Sequence, residues 1–135
     1  MAQIPILYND AYDINVPIGH RFNGTKFSKL ANQLQKSDFH QRLDFHQSSP
    51  VRYQDVLRTH AVDYVQRVVD RTLSREEVRQ INLPIDTQLV KRSFLALNGT
   101  YTTALKALEA GVACHAAGGT HHAHYSNGLG FCVFN

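Results

Sequence analysis

The stretch DTQLVKRSFLALNGTYTTALKALEAGVACHAAGGTHH, residues 86–122, decides how this chain is read. Asp86 stands where a helix N-cap belongs, its carboxylate placed to accept an orphan amide proton. Val90, Phe94, Leu97, Tyr101, Leu105 and Leu108 then recur every three or four residues, which predicts one long helix with a continuous apolar stripe. Gly111 follows where a helix end favours a left-handed residue. VACHA, residues 112–116, reads as a short buried strand that runs straight into Gly118-Gly119. A long helix feeding a strand is the unit of parallel α/β packing, and the loop after the strand is where such sheets place their chemistry.

Working outward, IPILY (residues 4–8) is a short apolar run ended by NDAYD, a strand followed by a loop. Phe27, Leu30, Ala31 and Leu34 have helical spacing within residues 25–34. KSDFHQRLDFHQSSP, residues 36–50, shows no sustained period and reads as a connection. Residues 51–69 carry two short helical patterns broken near His60, and Ser74 with Glu77 fits a capping box. FCVF, residues 131–134, is a candidate third strand. So few strands for several helices leave a parallel sheet short of partners. The expectation is an α/β fold of three α/β/α layers around a mainly parallel sheet, with residues 1–135 forming the N-terminal part of one larger domain.

The 135 residues are 43% hydrophobic and 19% charged, the balance of a folded globular chain. The net charge of +3 does not point to nucleic acid. Its basic residues are spread along the chain and mixed with acids, as in DYVQRVVDRTLSREEVR, the pattern of a solvated helix surface rather than a phosphate track. No apolar run approaches a membrane span, and MAQIPILYND lacks the basic start and cleavage site of a secretion signal. A cytoplasmic protein with Cys114 and Cys132 as free thiols is the expectation. In that setting the sequons at Asn23 and Asn98 carry no meaning.

The end of the sequence, GGTHHAHYSNGLGFCVFN, holds most of the chemistry. Four of the eight histidines lie between His115 and His124, and no Lys, Arg, Asp or Glu follows Glu109. Two adjacent imidazoles divide labour well, one as a neutral base and one as a charged stabiliser, because repulsion opposes charging both. The group Cys114, His115, His121, His122 and His124 also suggests a structural zinc site, although adjacent histidines rarely chelate one tetrahedral ion. Asp38-Phe39-His40 and Asp44-Phe45-His46 are formally Asp-x-His pairs, but they fall in the polar connection and read as solvated loop residues.

Residues 118–123 and 130–135 together resemble the Gly-Gly-x-His-His-Ala and Gly-Phe-Cys-x-x-Asn blocks of the histone-deacetylase-like zinc amidohydrolases, in their compact bacterial type. YNDAYDINVPIGHRFNGTKFSKL (8–30) is similar to that family's opening segment. RTHAVDYV (58–65) is similar to its His-x-x-x-Tyr helix, and residues 89–113 to its long helix. The resemblance implies an arginase/deacetylase-like fold. It also implies that His122 is the general base and later acid while His121 stabilises charge. Gly130 and Phe131 would line the acyl-lysine tunnel, with Cys132 packed beside them. The implied cofactor is zinc, on an Asp-x-His pair and a later Asp expected downstream of Asn135. No metal ligand is therefore expected in this chain, which alone is expected to be inactive. The implied partner is an acetylated lysine or another acetylated amine, and an incomplete sheet invites a homo-oligomer or swapped assembly. Lys26 lies near a basic residue that relatives keep along an inner acetate channel, yet on a helix it reads as solvated. Two other readings stay open: a non-catalytic α/β interaction module, and a histidine-cluster metal-binding protein.

Overall fold

A computed structural model describes residues 3–135. Strand β1 (Ile4–Tyr8) pairs in parallel on both sides, with β2 (Leu43–Gln47) on one edge and β3 (Cys114–His115) on the other. Ile4 faces Leu43, Tyr8 faces Gln47, and Ile6 faces Cys114. Successive strand residues point to opposite faces. Ile6 and Leu7 are both essentially buried, so the central strand is covered on both faces. The α/β class with a parallel sheet is thus what the chain adopts.

The described residues form five α-helices: α1 (Lys26–Gln35), α2 (Tyr53–Val56), α3 (Val62–Asp70), α4 (Arg75–Ile81) and α5 (Thr87–Ala110). The Ser74 hydroxyl accepts from the Glu77 amide while the Glu77 carboxylate accepts from the Ser74 amide at 2.8 Å, a full capping box on α4. The Asp86 carboxylate accepts from the Leu89 amide at 2.8 Å, and Gly111 ends α5 at φ +82°. The main core joins α3, α4 and the start of α5 through Tyr64, Val65, Ile81, Leu89 and Phe134. A second cluster, Tyr12, Phe27, Leu95 and Ala96, lies under α1. No helix among the described residues is long and apolar enough to cross a membrane.

The structure corrects four details. The supposed connection over residues 36–50 contains β2. Leu43 and Phe45 alternate with Asp44 and His46, a period of two too short to stand out, and the strand is completed by its pairing with β1. Asp44 and His46 are therefore strand residues, not loop residues. FCVF forms no strand; Leu129 and Cys132 instead close a tight turn. VACHA contributes only Cys114–His115 as strand, with Cys114 exposed. On α5 the stripe is half right: Val90, Phe94 and Leu97 pack on the core, whereas Tyr101, Leu105 and Leu108 are exposed. The deeply buried face is turned toward Leu89, Arg92, Ser93, Ala96 and Gly99.

Candidate active site

The strand order β2-β1-β3 makes the chain leave β1 to one side and return on the other. The crevice between the ends of β1 and β3 is thus a topological switch point, where open α/β sheets bind ligands. The loop after β3 begins with Gly118 at φ +69° and carries His121 and His122, both exposed. Their ring centroids are 4.0 Å apart at an interplanar angle of 48°, so the imidazoles stand side by side. Ala123 behind them is buried and anchors the loop.

The second block lies against the first. Leu129 and Cys132 exchange backbone hydrogen bonds of 3.0 and 2.9 Å, with Gly130 at φ +55° and Phe131 at φ +67° between them. Two positive φ angles mark the mirror image of a type I turn. Left-handed backbone costs a non-glycine residue roughly 1–2 kcal/mol. Phe131 is held there by its amide on the Ile81 carbonyl (2.8 Å) and by the Gly130 amide on the Gln80 carbonyl (2.9 Å), both at the end of α4. A Cβ on Gly130 would sit 3.4 Å from the His122 ring, so the turn packs directly on that imidazole. The Phe131 ring meets Phe22 at 5.4 Å and His20 at 6.0 Å between centroids. Cys132 is buried. His20 and Phe22 also line an open groove of about 400 Å³ along the segment between β1 and α1.

Beside β3 runs a polar chain, buried at Tyr12 and Ser48 and open to solvent at Thr100, that sequence reasoning missed. The Tyr12 hydroxyl bonds Ser48 Oγ at 2.7 Å and His115 Nε2 at 2.8 Å, and His115 Nδ1 meets Thr100 Oγ1 at 3.2 Å. Thr100 in turn donates to the Ala96 carbonyl. One donor order satisfies every group: Ser48 to Tyr12 to His115 Nε2, then Nδ1–H to Thr100. Burial, with the charge of Arg92 second, lowers the His115 pKa to about 4, so the ring is neutral near neutrality. Burial also raises the Tyr12 pKa. Arg92 is itself 5% exposed, donates Nε–H to the Tyr12 carbonyl at 2.9 Å, and lies 4.6 Å over the Phe27 ring; burial lowers its pKa. Its position three residues after Leu89 and four before Ala96 was the available signal. Lys26, on exposed helix surface, places Nζ 4.6 Å from the Phe22 ring centre.

Residues 20–135 match the histone deacetylase domain. The chain belongs to the histone deacetylase family. An uncharacterized protein of Picosynechococcus sp. (strain PCC 7002) is 37% identical to it over 131 residues, 97% of this chain and 44% of that protein. The chain thus spans less than half the length of this relative.

The histone deacetylase family generally depends on zinc, so the donor set of this chain can be tested for one. Among the described residues, no three of His, Cys, Asp and Glu come together as a metal set. His121 and His122 lie side by side with no third donor, and the Cys114-to-His124 group does not converge. His46 is hydrogen-bonded by Nε2 to Asp44 at 2.7 Å on the edge strand β2. The described residues do not by themselves fit a zinc site.

Proposed function

We propose that this chain supplies the acid–base half of a deacetylase-like hydrolase that removes acetyl or other acyl groups from lysine or a related amine. The observation that carries the proposal is the exposed His121–His122 pair, 4.0 Å between ring centroids and packed against the Gly130–Phe131 turn at the switch point of the sheet. In this reading His122 takes a proton from the attacking water as the water oxygen bonds to the acyl carbon. The C–N bond then breaks, and His122 returns the proton to the leaving amine, giving acetate and a free amine. His121 stabilises the charge that develops beside it. Phe131, with Phe22 behind it, forms an apolar wall for the acyl chain, and Gly130 leaves room next to His122; Cys132 serves as packing.

The zinc implied by the family finds no donor set among the described residues, so its ligands are proposed to come from outside this chain, and the chain alone is proposed to be inactive. The test is acetate release from acetyl-lysine peptides and acetylated polyamines by a polypeptide joining this chain to metal ligands of the family's kind. Chelator-sensitive release supports the reading. Tight binding of those amines without hydrolysis would instead support an interaction module.

A further inference from the structure

The loop that carries the tandem histidines makes few hydrogen bonds of its own, and four ties fasten it from outside. The Thr120 hydroxyl donates to the Phe134 carbonyl, and the Asn135 side-chain amide donates to the Ala123 carbonyl. The Ala61 amide donates to the Tyr125 carbonyl at 2.8 Å. The fourth tie is His60, 1% exposed and enclosed by the rings of Tyr64 and Phe134. Its Nε2 accepts from the Asn135 amide at 2.9 Å, and its Nδ1 meets the His124 carbonyl at 2.9 Å.

These partners settle the tautomer. A peptide N–H only donates and a carbonyl only accepts, so Nε2 carries the lone pair and Nδ1 carries the proton. His60 therefore reads both ends of the site at once: the carbonyl two residues beyond His122, and the amide four residues beyond Phe131. We propose that His60 is a positioning residue that ties the histidine loop to the core around Tyr64 and Phe134, acting through its Nδ1–H bond to the His124 carbonyl. The inference deepens the hydrolase reading above and rests on it for its catalytic consequence. A misplacement of about 1 Å in a catalytic group costs on the order of 10²-fold in rate, which is why such a clamp matters.

Two conservative variants separate the two bonds. In His60→Asn the amide nitrogen falls where Nδ1 was, keeping the donor to His124 and losing the acceptor for Asn135. In His60→Gln the amide oxygen falls where Nε2 was, keeping the acceptor and losing the donor. Hydrogen exchange of the His124 and Ala61 amides, whose bonds hold the loop, is read on this chain with the β1 amides as the folding control. His60→Gln is expected to speed exchange at both amides about tenfold, the scale of one buried hydrogen bond. His60→Asn is expected to stay near wild type. Equal loosening by the two variants, or loosening by His60→Asn alone, overturns the proposal. So does an NMR ring spectrum with the proton on Nε2. In an acyl-amine-hydrolysing polypeptide, His60→Gln should lower kcat about 10²-fold with KM little changed. His60→Asn should largely retain kcat. Unchanged kcat in His60→Gln refutes the positioning role, whereas absence of hydrolysis in the wild type refutes the hydrolase reading and leaves exchange to judge His60.

Discussion

Acid should destabilise this fold through His115, and the size of the effect can be worked out. The unfolded imidazole has a pKa of about 6.5. In the fold, burial and then Arg92 hold it at about 4. As pH falls below the unfolded value, the unfolded chain takes up a proton that the folded chain refuses. Stability from this residue is therefore complete above about pH 6.5, falls through the interval, and levels off below about pH 4. The full shift of about 2.5 units corresponds to roughly 3.4 kcal/mol. His115 is only partly buried, so solvent screening reduces the expected value to about 2 kcal/mol. His115→Gln removes the titration while its amide oxygen can still accept from Tyr12. Urea unfolding of both proteins between about pH 7 and pH 4 isolates the residue by difference, since every other titrating group is shared. Wild type should lose about 2 kcal/mol more than the variant. Parallel pH profiles, or a variant that is the more acid-sensitive, would refute the reasoning.

Two further predictions concern close backbone approaches. A Cβ at Gly99 would overlap both His115 Nε2 and the Tyr12 hydroxyl. Gly99→Ala should therefore destabilise by about 1–3 kcal/mol net, even though alanine gains about 1 kcal/mol of helix propensity; thermal unfolding checks this, and a raised Tm would contradict it. Gly128 has Ile81, the Tyr64 hydroxyl and the Cys132 carbonyl within 2.8 Å of a built Cβ. Gly128→Ala should cost about 1–3 kcal/mol and break the bond from the Tyr64 hydroxyl to the Val133 carbonyl; tyrosine fluorescence during urea unfolding reports both, and wild-type behaviour would count against the packing described.

What the sequence disclosed followed its local signals. The caps at Ser74, Asp86 and Gly111 were legible because each acts within a few residues. The five-residue β2 was not, because its alternation of Leu43 and Phe45 with Asp44 and His46 is stabilised by pairing with β1 about forty residues earlier. The phase of α5 was misjudged because its buried face includes Arg92, Ser93 and Gly99, which an apolar count ignores. The same division holds at the site. The Gly-Gly-Thr-His-His and Gly-Phe-Cys blocks are contiguous and were visible. The chain from Ser48 through Tyr12 and His115 to Thr100 joins four separate segments, and only the fold assembles it. His60 showed in the sequence as a break between helices, but its partners, His124 and Asn135, lie far along the chain.

The central claim is that His122 moves the proton, and its most direct test is steady-state hydrolysis of an acetylated amine by a zinc-loaded polypeptide joining this chain to the family's metal ligands. His122→Ala should lower kcat about 10²–10⁴-fold while KM and zinc content stay close to wild type. A folded, zinc-loaded His122→Ala protein with wild-type kcat would contradict the assignment and leave the histidine loop as architecture alone.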